Sequence, residues 1–195
     1  MRRYIWMICA LMMTLSACSS VRDADLNEKI NEKYTQAAAY SATVTARMDH
    51  GDTVSDYLIA YEYSAVNGHL MTVTAPAVLA GLTVRVGAEE MEITYDGSVF
   101  VPESLDGTEV SPVKVICDVY MTWRDGFAES VGIEKIDGTE YIVFTVISVL
   151  TGEELTHRTY FTKDTLEPCR SESFSGEKCV MTLTFENNEL TATED

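Results

Sequence analysis

The strongest constraint on this chain is a period of two. From Tyr40 onwards apolar residues recur at every second position in short runs, and pairs that favour tight turns stand between the runs. Val44, Ala46 and Met48 alternate with Thr43, Thr45 and Arg47 before the turn Asp49-His50-Gly51-Asp52. Tyr57, Ile59, Tyr61 and Tyr63 follow, then Asn67-Gly68, then Met71 and Val73. Successive side chains on a strand point to opposite faces, so this pattern buries one face and wets the other. Asn-Gly between two such runs is a hairpin signal, because both turn residues adopt positive φ readily. Asp96-Gly97, Asp137-Gly138, Thr151-Gly152, Asp164-Thr165 and Ser175-Gly176 repeat the device and divide further runs, among them 82–86, 91–95, 98–101, 131–133 and 141–147, and a final run after Ser175-Gly176 carries Met181, Leu183 and Phe185 on one face. Residues 141–147 are apolar on both faces, which predicts a central strand covered on both sides.

Two stretches follow a helical period instead. Leu26, Ile30, Tyr34 and Ala38 stand four apart and predict an amphipathic helix over residues 22–39. Val113, Ile116, Cys117, Tyr120 and Met121 predict a second over 112–124, with Ser111 as N-cap, Pro112 at the first helical position and Gly126 ending it in a left-handed conformation. Residues 102–109 read as loop and 189–195 as a polar tail. Hairpin after hairpin makes one antiparallel meander too wide to stay flat. The expected fold is therefore α+β, mainly antiparallel β: a curled open half-barrel of about 9–11 strands, covered by an N-terminal helix and an inserted helix. Its concave apolar face is either filled by the helices or left with a gap for a ligand. Tyr57, Tyr61, Met71, Val113, Tyr120, Met121 and Trp123 are the candidate lining, and the same residues serve equally as core.

The first residues address the chain to the envelope. Arg2 and Arg3 precede an apolar run from Ile5 to Thr14, the pattern of an export signal and too short to span a bilayer. Leu15-Ser16-Ala17-Cys18 behind it resembles the lipobox of bacterial lipoproteins; the competing reading is an ordinary secretory signal that contains a cysteine. The resemblance implies that Cys18 is lipidated and becomes the mature N-terminus, and two or more acyl chains make a lasting anchor. The expected organisation is a signal peptide over 1–17, a lipidated tether over 18–22, one domain over 23–188 and the tail over 189–195. The expected location is the extracytoplasmic face of the cell membrane.

Of the 195 residues, 31 are Asp or Glu and 14 Lys or Arg, a net charge of −17 that becomes more negative once Arg2 and Arg3 leave with the signal. Such a chain does not bind nucleic acid or anionic headgroups by charge, since both need clustered bases. The acyl anchor must hold the membrane alone. With Cys9 in the signal and Cys18 acylated, Cys117, Cys169 and Cys179 remain, an odd number. Symmetric pairing about Ser175-Gly176 sets Cys179 opposite residue 172 or 173, so a bridge to Cys169 is out of reach unless a bulge shifts the register. Cys117 lies on the apolar stripe of its helix without a histidine at readable spacing, which favours a buried thiol over a nucleophile.

No Gly-x-Ser-x-Gly elbow, HExxH, P-loop or CxxC occurs. His50 between Asp49 and Asp52 fits a hairpin turn better than a metal site, and His69 at a strand entrance reads as surface. Glu89, Glu90 and Glu92, like Glu153 and Glu154, read as solvated rim rather than carboxylates facing across a cleft. The expectation is no enzyme, no metal and no cofactor.

The order of elements and several local motifs carry a family resemblance. Pro76 with Ala80-Gly81-Leu82-Thr83, then Tyr95-Asp96-Gly97, then Ser111-Pro112 opening a helix that ends in Trp123-Arg124-Asp125-Gly126, then Tyr160-Phe161 and Leu166-Glu167-Pro168, look like the LolA/LolB-type fold, in a clostridial branch that includes spore-germination lipoproteins. The likeness spans about 26–185. It implies one of two roles: a half-barrel that holds an acyl chain or a lipoprotein, or a sporulation and germination lipoprotein that binds and activates a cell-wall N-acetylmuramoyl-L-alanine amidase.

Overall fold

The structure, a computed structural model, describes residues 17–87, 90–101, 110–150 and 152–193. Residues 1–16 of the signal peptide expected over 1–17, the loop expected over 102–109, and Glu89 lie outside the described residues. Helix α1 spans Ala17–Thr35, and strands β1 (Ala37–Asp49), β2 (Val54–Ser64), β3 (Gly68–Ala75), β4 (Thr83–Val86), β5 (Met91–Tyr95) and β6 (Ser98–Phe100) follow. Helix α2 (Pro112–Asp125) then precedes β7 (Ser130–Ile136), β8 (Thr139–Leu150), β9 (Glu153–Thr162), β10 (Pro168–Ser175) and β11 (Lys178–Ala192).

The eleven strands among the described residues form one open antiparallel sheet in the order β6-β5-β4-β3-β2-β1-β11-β10-β9-β8-β7. Each half is a hairpin meander, and the first and last strands join the halves at the centre. The two free edges, β6 and β7, are consecutive in sequence. The chain must therefore travel from one edge to the other, and α2 lies on that crossing, against the buried face of the sheet with α1 beside it. The result is a half-barrel with two helices over its inner face, the architecture expected from the alternation.

Both ends of the domain differ from expectation for one reason. The helix expected over 22–39 runs over Ala17–Thr35, so residues 18–22, read as a tether, are helical, while Ala37, Ala39 and Tyr40 are strand. Residues 189–192, read as polar tail, are the end of β11, with Glu189 opposite Ser41, Leu190 opposite Tyr40 and Ala192 opposite Ala37. Each segment is a strand because the other is, a pairing between chain ends with no local signature. Strand β8 departs from expectation too. It stands next to the β7 edge, and while Val143 is covered on its outer face, Ile147 and Val149 are exposed. Apolarity on both faces does not specify what covers them.

The core is the inner face: Val44, Ala46, Ile59, Tyr61, Met71, Val73, Phe144, Phe161, Leu183 and Phe185 from the sheet, with Ile30 and Tyr34 of α1 and Val115, Ile116, Val119, Tyr120 and Trp123 of α2. Cys117, Cys169 and Cys179 are free thiols; a register shift places Phe174 opposite Cys179.

Candidate functional site

Helix α2 organises the candidate site. Ser111 caps its start, its Oγ accepting from the Lys114 N–H at 3.4 Å, and Pro112 occupies the first turn, where a missing N–H costs nothing. The helix closes on Gly126 in an extended conformation (φ −75°), not the left-handed one expected. Glycine is required there for space, because a Cβ would lie 2.3 Å from the Thr122 carbonyl oxygen. Asn31 of α1 finishes the cap, its Nδ2 donating to the carbonyls of Trp123, Arg124 and Gly126 at 3.0, 3.1 and 3.2 Å, while the Thr35 hydroxyl donates to Arg124 O at 2.8 Å. One helix thus satisfies the orphan carbonyls of the other.

The two sides of α2 meet different surroundings. Ile116, Val119, Tyr120 and Trp123 enter the core, where the space beneath the helices is filled by rings: Tyr120 packs against Tyr63 at 4.6 Å and Tyr40 at 5.3 Å, and Trp123 against Tyr34 and Phe185 at 5.2 Å each. Trp123 Nε1 donates to Thr159 Oγ1 at 3.1 Å, and burial raises the Tyr34, Tyr40, Tyr61 and Tyr120 phenols far above their ordinary range. The flank of α2 carries Val113, Lys114, Cys117, Asp118, Met121 and Arg124 and borders a groove of about 630 Å³. Its far wall is the β2–β3 hairpin from Tyr63 to His69, with Val86 and Gly87 beyond it and Leu150 closing one side. Gly68 lets that wall stand so close to β4: its φ is +73°, and a Cβ would lie 2.3 Å from Val86 O.

Of the seven candidate lining residues, Val113 and Met121 border this groove. Tyr61, Met71, Tyr120 and Trp123 are buried in the filled core behind it, and Tyr57 is half-buried on the inner face of β2. Arg124, Cys117, Val86 and Leu150 line the groove beside Val113 and Met121. The spacing 113, 117, 121, 124 was visible along the helix, whereas the opposite wall has no local signal.

Two polar side chains at the groove, His69 and Asp118, have partners within the protein. His69, read as surface, is buried, and its Nδ1 pairs with the Tyr61 hydroxyl at 2.8 Å. Burial, reinforced by the positive Arg124, lowers its pKa to about 4, so the ring is neutral at physiological pH. Asp118 Oδ2 receives Ser148 Oγ at 2.5 Å and His157 Nε2 at 2.7 Å, and His157 Nδ1 faces Ser173 Oγ at 2.8 Å. Ser173, His157 and Asp118 have the order of a nucleophile relay. Ser173 is fully buried and meets no substrate, and Ser148 shares the ring nitrogen that Asp118 occupies. The network ties α2 to β8, β9 and β10. Burial, with the negative Asp118 beside it, pushes the Cys117 thiol up to about 12, which keeps it protonated and a poor nucleophile. Among the described residues no group of three His, Cys, Asp or Glu is placed to hold a metal. Glu90, Glu92, Glu153 and Glu154 are exposed.

Known proteins resemble the chain in fold rather than in sequence. No family model and no curated protein matches it. An uncharacterized conserved protein from Thermus thermophilus superposes with a TM-score of 0.54 at 12% identity, covering 88% of this chain and 89% of that one. The chain shares its fold with that protein. A LolA superfamily protein from Nitrosomonas europaea reaches a TM-score of 0.47 at 12% identity over 86% of this chain and 94% of that one. The Mycobacterium tuberculosis lipoprotein LppX reaches 0.40 at 14% identity over 87% and 97%.

Proposed function

We propose that the protein is a non-enzymatic envelope lipoprotein, anchored by acyl chains on Cys18, whose α2 groove binds a hydrophobic ligand at the extracytoplasmic face of the membrane. The observation that carries this reading is the groove itself. Its volume of about 630 Å³ falls within the range of ligand sites, roughly 300–1,000 Å³, and Val113, Cys117, Met121, Val86, Val66 and Leu150 give it an apolar lining. Each methylene buried there gains about 0.8 kcal/mol, so part of an acyl chain suffices for tight binding. The anchor is supported by the lipobox-like 15–18 stretch. No helix among the described residues is long and apolar enough to cross a membrane.

Native mass spectrometry of the full chain, extracted from membranes and released from a bulky non-ionic detergent, tests both halves. A covalent mass of acyl chains on Cys18 and a second, non-covalent amphiphile are the expected readings. Met121→Glu, which sets a carboxylate on the groove wall, removes the second mass and leaves the first. An N-terminus without acyl mass defeats the anchor. A wild-type chain with no bound amphiphile defeats the ligand reading and favours the alternative, a partner-binding lipoprotein that activates a cell-wall amidase. The filled aromatic core is the observation that supports this alternative, because a protein partner needs no interior space.

A further inference from the structure

Arg124 breaks the charge pattern of the groove. In a chain with more than twice as many acids as bases, the charged side chains on the groove are Lys114 and Arg124 against Asp118. The Asp118 carboxylate is engaged by Ser148 and His157. The half-buried Arg124 guanidinium lies over the Tyr63 ring, 4.9 Å from its centroid, and donates to the Tyr63 hydroxyl, a neutral partner. Its Nε is buried with no hydrogen-bond partner, and among the described residues no carboxylate comes within salt-bridge distance. Sequestering a cation from water without a counter-charge is unfavourable, and the deficit is relieved by an anion that enters with the ligand.

Geometry says where that anion sits. Arg124 stands in the last turn of α2 and Val113 in the first, and at about 1.5 Å rise per residue the stripe between them runs roughly 16 Å. Cys117 and Met121 fill its middle beside the already engaged Asp118, with Lys114 in the first turn and Arg124, which has no carboxylate partner, at the other end. The α2 carbonyls at that end, which would repel an anion, are covered by Asn31 and Thr35. His69 beside Arg124 is neutral and competes with neither.

We propose that the ligand is a long-chain carboxylate amphiphile, its tail along Val113, Cys117 and Met121 and its carboxylate on Arg124. This rests on the hydrophobic-ligand reading of the same groove and selects within it: a free fatty acid rather than an ester-linked acyl chain. A guanidinium–carboxylate contact in a partly dry site is a charge-assisted hydrogen bond, worth about tenfold or more in affinity.

The experiment loads the full chain in non-ionic detergent with palmitate or with 1-hexadecanol and counts the bound fraction by native mass spectrometry. Wild type retains palmitate about tenfold better than the alcohol. Arg124→Gln brings the two together by losing palmitate alone, Arg124→Lys keeps part of the preference, and Lys135→Gln, exposed on the edge strand β7 away from the groove, leaves it unchanged. Equal retention of acid and alcohol by wild type overturns the carboxylate and leaves the hydrophobic groove standing. A preference abolished by Lys114→Gln instead moves the head to the other end and overturns the role of Arg124. Retention of neither overturns the ligand reading as well. The wild-type ratio decides even where a variant fails to fold.

Discussion

His69 shows how a single side chain can set the acid limit of this fold. Its ring is buried against Tyr61, Tyr63 and Tyr120, and its Nδ1 is hydrogen-bonded with the Tyr61 hydroxyl. In the unfolded chain the imidazole titrates at 6.5, whereas in the folded one it titrates at about 4. Between those values the unfolded state binds more protons, so the stability that neutral His69 contributes is complete above pH 6.5 and is lost as the pH falls towards 4. Denaturant midpoints measured from pH 7.5 to 4 should therefore decline. His69→Gln, whose amide can serve Tyr61 as donor or acceptor but does not titrate, should start lower and decline less. An equal slope in both proteins assigns the acid limb to other groups. None of this was legible locally: His69 follows Asn67-Gly68 at a strand entrance, and such a position reads as surface until β4 and α2 close over it.

At the scale of elements, the two helices hold each other. Asn31 of α1 serves three carbonyls at the C-terminal end of α2, and Asn27 Oδ1 accepts from the Ala128 N–H just beyond. Asn31→Ala leaves those carbonyls to water or to nothing, and its loss should lower stability by about 1–2 kcal/mol, read as a shift in the urea midpoint at constant slope. Because Arg124 sits in the turn that Asn31 caps, the same substitution should raise hydrogen exchange at residues 122–126 while β1 and β11 stay protected. Uniform loss of protection would mean that the two helices unfold with the sheet. The existence of α2, its Ser111 cap and its start at Pro112 follow from adjacent residues and were readable. What Asn31 does was not, since it acts across 92 residues of chain.

At the scale of the molecule, the pairing of β1 with β11 joins two meanders into one sheet. Each meander has its own hairpins, and neither alone can cover the helices. Removing residues 189–195 deletes the partners of Ala37, Ala39, Tyr40 and Ser41. A polar tail could be lost without effect, whereas the end of a central strand cannot: the truncation should cost about 1–3 kcal/mol in denaturant unfolding. Unchanged stability would show that this part of the pairing contributes nothing to the fold.

The amino-acid sequence by itself determined much of what neighbours in the chain decide between them, though not the extended conformation of Gly126. Period-two runs and Asn-Gly or Asp-Gly turns specify hairpins, period-four stripes specify helices, and the number of strands forces an open curled sheet with the helices on its apolar face. Tertiary structure decided what depends on residues far apart: that β1 and β11 meet at the centre, that β8 stands beside an edge, and that Tyr61, Met71, Tyr120 and Trp123 fill the concavity. It also set Val113, Met121 and Arg124 opposite the β2–β3 hairpin across an open groove. The physical reason is that alternation tells a side chain which face it occupies but not what faces it. Packing supplies the second half, and with it the difference between core and cavity.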